Sequence, residues 1–88
     1  MTNIDSLRAD YLAVRAWMVL YGEWTADEAT EIGAAIADAV QRQDAGELAF
    51  WGEWMARFAV MARAHQDQMA AIDREAAAWW LGQQRRAA

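Results

Sequence analysis

Apolar side chains recur along this 88-residue chain at alternating steps of three and four, the spacing that keeps them on one side of a helix. The first such series is Ile4, Leu7, Tyr11, Val14, Met18 and Tyr21. It predicts a helix over about 4–21, with Asn3 as its cap and Gly22 ending it in a left-handed conformation. "TADE" at 25–28 then has the form of a reciprocal capping box, in which the Thr25 hydroxyl and the Glu28 carboxylate each accept from the other's backbone. A second helix over about 26–42 follows. Its stripe is Ala29, Ile32, Ile36 and Val40, flanked by Gly33, Ala35 and Ala39, small enough to let another helix approach closely.

"DAGE" at 44–47 repeats the capping pattern with Asp44, so a boundary falls near Gln43 and Asp44. Beyond it, Leu48, Trp51, Met55, Phe58, Ala62, His65, Met69, Ile72, Ala76 and Trp79 hold the three-four alternation without a Pro to interrupt them. The pattern predicts a helix over about 45–82, roughly 50 Å long at about 1.5 Å per residue and about twice the length of either predecessor. Such a helix overhangs its own bundle or breaks. A break at "HQDQ" (65–68), with Asp67 as a fresh cap, would give four comparable helices; without one, the overhang calls for a partner chain, most simply a two-fold copy. The fold class expected is all-α, a single domain over 1–88 built as a bundle of three or four helices with a long C-terminal helix.

Length sharpens the case for association, because a chain of this size buries only about 60 to 65 percent of its unfolded surface. Cys and Pro are absent, which excludes disulfides, thiolate metal sites and Cys nucleophiles. The start, "MTNIDSLRAD", has no basic stretch leading into an apolar core, so no secretory signal is expected. No fully apolar run is longer than Ala16 to Tyr21, which falls far short of the roughly 20 residues that span a bilayer. A soluble, cytoplasmic protein is the simplest reading. Ala supplies a quarter of the chain and every basic side chain is Arg, the usage of a GC-rich bacterial genome.

The net charge of −5 is unevenly spread: residues 23–53 carry eight acids against Arg42, while residues 54–88 carry five Arg against three acids. An acidic middle block disfavours direct nucleic-acid binding, which rests on neutralising phosphates.

"YGEW" at 21–24 returns as "WGEW" at 51–54, yet the flanking segments "YLAVRAWMVL" and "QRQDAGELAF" share nothing, so no internal duplication is expected. Different roles are expected too, with Trp24 in a turn against the start of the second helix and Trp54 within the third.

Candidate chemistry is sparse. His65 is the sole histidine and falls on the stripe of the long helix, where an isolated polar side chain commonly sets register. Metal binding needs further ligands three or four residues away, and Met61, Ala62, Gln68 and Met69 stand there. A Met-His haem pair is a weaker reading than Met as core filler. Asp27, Glu28 and Glu31 share a helix face among other acids, without an apolar pocket to raise a pKa for acid-base work. Ser6, the sole serine, lies in a first turn. No phosphate loop, nucleophile elbow or dinucleotide fingerprint occurs. No enzyme activity, metal or cofactor is expected.

Two features point instead to protein binding. Large apolar residues exceed what one stripe uses: Phe50, Trp54 and Met61 lie off the main line of the long helix by about 90 to 130 degrees, and Leu12, Val19 and Leu20 are displaced on the first. Burial from several sides would absorb them; an exposed patch around Phe50 and Trp54 would use them as contacts. The second feature is the acidic face formed by Asp27, Glu31 and Asp38 with Glu28 beside them, opposite the Ile32, Ile36 and Val40 stripe. A solvated face is its ordinary meaning, and docking on a basic partner protein its sharper one. In size, acidity and helicity the chain is similar in type to small inhibitors carried by phages and mobile elements, some anti-CRISPR proteins among them. The leading expectation is an inhibitor or adaptor that binds another protein through Asp27, Glu28, Glu31, Asp38, Phe50 and Trp54. The alternative is a structural homodimer closed by its own aromatics.

Overall fold

The chain folds into three helices and, among the described residues, no strands: α1 (Ile4–Leu20), α2 (Ala26–Arg42) and α3 (Ala45–Ala87). This arrangement comes from a computed structural model, which describes residues 2–87 and side chains as far as Arg85. Short polar side chains start each helix as the sequence pattern predicts. Asn3 Oδ1 accepts from the Ser6 N–H at 3.1 Å, and Asp44 Oδ1 accepts from the Glu47 N–H at 3.1 Å. At α2, Thr25 Oγ1 accepts from the Glu28 N–H at 3.1 Å while Glu28 Oε1 accepts from the Thr25 N–H at 3.4 Å. Each bond satisfies an amide that the helix itself leaves free.

The two turns each need a left-handed residue. Gly22 takes φ +74° after α1, at no steric cost. Gln43 takes φ +54° after α2, where its N–H reaches the carbonyls of Ala39 and Val40. A glutamine there carries the Cβ strain that a glycine would avoid.

Thr2 lies against Gly52 and Tyr21 against His65, so α1 runs in the same direction as α3 and packs directly on it, while α2 runs back against both. The core they enclose is small: Leu7, Val14, Ile36, Ala39, Leu48, Met55 and Ala59. Ala29, Ala39, Ala59 and Ala62 are fully buried, which marks where the backbones come closest. Gly33, half-buried, marks another close approach, since the Tyr11 ring occupies the space its side chain would fill. Trp51 packs on the core with its indole N–H buried and without an acceptor, a desolvation cost of about 1–3 kcal/mol set against burial of the ring.

The long helix is continuous for 43 residues, so the break at 65–68 does not occur and the four-helix alternative falls. "HQDQ" contains no Pro or Gly, and Asp67 stays exposed within the helix, where its intrinsic cost is a fraction of a kcal/mol, less than nucleating a new helix. Its stripe therefore has two halves. Leu48, Met55, Ala59 and Ala62 are buried under α1 and α2, and His65 is half-buried. Beyond the bundle, Met69, Ile72 and Trp79 are 42, 49 and 59% exposed. The molecule measures 63 Å along one axis and only 26 and 17 Å along the others, and α3 accounts for the long one. Among the described residues no helix is long and apolar enough to cross a membrane.

Candidate protein-binding surfaces

α2 turns its acids outward because its stripe turns inward. Asp27, Glu28, Glu31 and Asp38 are all exposed, while Ala29, Ile36 and Ala39 are buried and Ile32 and Val40 half-buried. The four carboxylates differ in what they already do. Glu28 completes the capping box. Asp38 is taken up by Arg42, whose Nε donates to Asp38 Oδ2 at 2.8 Å while Nη1 and Nη2 reach Asp44 Oδ2 at 3.2 Å and Glu47 Oε2 at 2.6 Å. The guanidinium is held well above its usual pKa, first by the Asp38 hydrogen bond and then by Glu47. Asp44 is held below the ordinary 3.8, chiefly by the Glu47 backbone N–H, against an opposing cost of partial burial, with Arg42 adding to the stabilisation of the carboxylate. Asp27 and Glu31 take part in none of the ion pairs among the described residues.

The aromatics divide differently from the expectation. Phe50 is exposed, T-shaped against Trp51 at 5.2 Å between ring centroids. Trp54 is half-buried: it stacks on Trp24 at 5.9 Å and 12°, and tilts against Phe58 at 4.5 Å. Trp24 thus packs on α3, and the tryptophans of the two GEW segments meet. Phe50 and Trp54 do not form one free aromatic patch. On α1 and the stem of α3 the rest of the surplus stays outside, with Leu12, Leu20 and Val60 each more than 60% exposed. Burial from several sides therefore does not absorb it.

The expected contact residues did not include the far part of the α3 stripe, which the overhang of the unbroken helix leaves as surface. Met69, Ile72 and Trp79 are joined there by Trp80 and Leu81, and the two indoles meet edge to face at 5.1 Å. The signal was present in the predicted length of the helix, too great for α1 and α2 to cover. Where α3 leaves the bundle, the Tyr21 hydroxyl lies 3.2 Å from His65 Nε2 and 3.3 Å from Nδ1. A cleft of about 580 Å³ lined by Trp17, Met18, Tyr21 and Glu23 opens beside it.

A cleft of about 960 Å³ between the start of α1 and the start of α3 holds Asp10 and Glu53 among mostly apolar and amide neighbours. Asp10 is paired with Arg63 at 2.7 Å. Among the described residues no three His, Cys, Asp or Glu side chains gather where they could hold a metal ion. Comparison with protein families, with curated proteins and with solved structures finds no match to this chain.

Proposed function

We propose that this protein acts by binding another protein, as an adaptor or an inhibitor, and performs no chemistry of its own. The observation that carries the reading is the single stripe of α3, buried or half-buried from Leu48 to Ala62 and exposed from Met69 to Trp79. A helix with that pattern has its second half built for a surface outside its own bundle. Bare area agrees. A compact monomer of 9.9 kDa exposes about 5,200 Å², and this chain exposes 6496 Å².

A second contact on the α2 face is supported by Asp27 and Glu31, which are exposed and outside the ion pairs of the bundle. It would steer a basic partner and set the rate of encounter more than the final affinity.

Affinity capture from the host tests the reading with three baits: the wild type, Ile72→Asp, and Asp27→Arg combined with Glu31→Arg. All three fold, because the altered positions are exposed. A protein retained by the wild type and lost with Ile72→Asp supports α3 as the docking helix; one lost only with the charge reversal moves the site to α2. Identical capture by all three baits removes the reading.

A further inference from the structure

We infer that the free stripe of α3 is covered by the same stripe of a second copy running antiparallel, so that the protein is a two-fold dimer. The inference rests on the protein-binding reading above and names its first partner. Three observations carry it.

Area is the first. The chain exposes about 1,300 Å² more than a compact protein of its mass, and a standard interface buries about 800 Å² from each side. Shedding that surplus from both copies takes a contact of about 2,600 Å² in total, larger than the standard one and in the range of obligate homodimers, centred on Met69, Ile72, Trp79 and Trp80.

Charge is the second. Residues 1–53 hold ten acids against three Arg, so two bundles repel, whereas residues 66–88 hold three acids and three Arg. The overhang is the part of the chain that a second copy can approach without net repulsion.

Direction follows from where the charges and helices sit. The stripe that is free beyond His65 is the same one that α1 and α2 cover below it. A parallel copy would bring its own α1 and α2 into the space these helices fill, and its acidic bundle with them. An antiparallel copy places the bundles at opposite ends and continues the cover of the stripe where α1 stops. It also brings the end of α3, with Arg85 exposed, to the α1–α2 turn of its mate, where Glu23 lines the cleft with Trp17, Met18 and Tyr21 and Asp27 is exposed in the first turn of α2. Attraction between these ends favours one direction over the other.

Sedimentation equilibrium on the full chain at 10 µM to 1 mM, with circular dichroism as the check on folding, is the first measurement. The expected result is twice the 9.9 kDa chain mass for the wild type, with Ile72→Asp raising the half-dimerisation concentration at least about a hundredfold at unchanged bundle stability. The chain has no Cys, so single cysteines report direction without background. Glu23→Cys mixed with Arg85→Cys should yield a disulfide-linked heterodimer, and Arg85→Cys alone should not link to itself. Self-linking of Arg85→Cys means a parallel pair and overturns the inference, as does a wild type that stays monomeric at 1 mM, or a dimer that Ile72→Asp leaves intact. A monomer whose capture of a host protein is abolished by Ile72→Asp would sink the dimer and leave the protein-binding reading standing.

Discussion

Gly33→Ala sets helix propensity against packing at one position of α2. In an open helix the change gains about 0.8–1 kcal/mol. Here an alanine Cβ would stand 2.5 Å from Tyr11 Oη and 3.0 Å from Cζ, closer than such atoms approach. The ring must swing aside. Its hydroxyl donates to the Ala29 carbonyl, so the swing loses a partly buried hydrogen bond worth about 0.5–1.5 kcal/mol. Repacking the α1–α2 contact adds about 1–3 kcal/mol. The losses exceed the gain, and net destabilisation of about 1–2 kcal/mol is expected, which lowers the melting temperature by roughly 5–15 °C in a domain of this size. Thermal melts by circular dichroism at one fixed protein concentration measure it. Two controls isolate the cause. Gly82→Ala, with no atom within 4 Å of the new Cβ, should not lower the midpoint. Tyr11→Phe removes the clashing oxygen, so Gly33→Ala should cost at least about 0.5 kcal/mol less in that background. A Gly33→Ala protein that melts higher than the wild type, or one that loses as much beside Phe as beside Tyr, would refute the reasoning.

Trp54→Ala removes a half-buried ring that touches both Trp24 and Phe58, and about 2 kcal/mol of stability should go with it, part of the about 3–5 kcal/mol of a fully buried aromatic; an unchanged melting temperature would return Trp54 to the free surface. Gln43→Gly relieves a left-handed residue that has a Cβ and should stabilise by about 1 kcal/mol, read as a higher urea midpoint at constant slope. Asp44, held below its ordinary pKa of 3.8, contributes stability that is present above that pH and is lost as the pH falls through the lower folded value. Asp44→Asn keeps a cap acceptor without the charge, so its melting temperature should fall less steeply than that of the wild type below about pH 4; parallel curves would remove Asp44 from the acid response.

The parts of this fold that were legible in the sequence depend on short separations. Asn3, Thr25 with Glu28, and Asp44 each bond to a backbone group three residues away, so composition and spacing were enough. Gly22 was legible for the same reason. Gln43 was not, since nothing in a glutamine signals a positive φ. Continuity through 65–68 went against the cap-like Asp67 because a cap ends nothing without a breaker beside it. The Trp24, Trp54 and Phe58 cluster joins residues up to 34 positions apart, and no periodicity within one helix shows which turn will fold over it. On the candidate surfaces, the outward acids of α2 followed from its inward stripe. The spacing of four between Asp38 and Arg42 was a signal for their pairing that the sequence reading passed over, whereas the recruitment of Asp44 and Glu47 to the same guanidinium required the turn to be seen.

The uninterrupted course of α3 gives a single helix two kinds of hydrogen bond. Those around Met55 open only when the bundle opens, while those beyond Met69 have no tertiary cover and are held by local propensity alone, supplied by Ala70, Ala71 and Ala76 to Ala78. Amide exchange should therefore slow by orders of magnitude from the far end of the helix to its base without any kink to mark the change. Proteases should nick the far end first. Whatever settles on that end, a second copy or a foreign chain, would move the boundary outward, and the exchange profile of one helix would then read how far the cover extends.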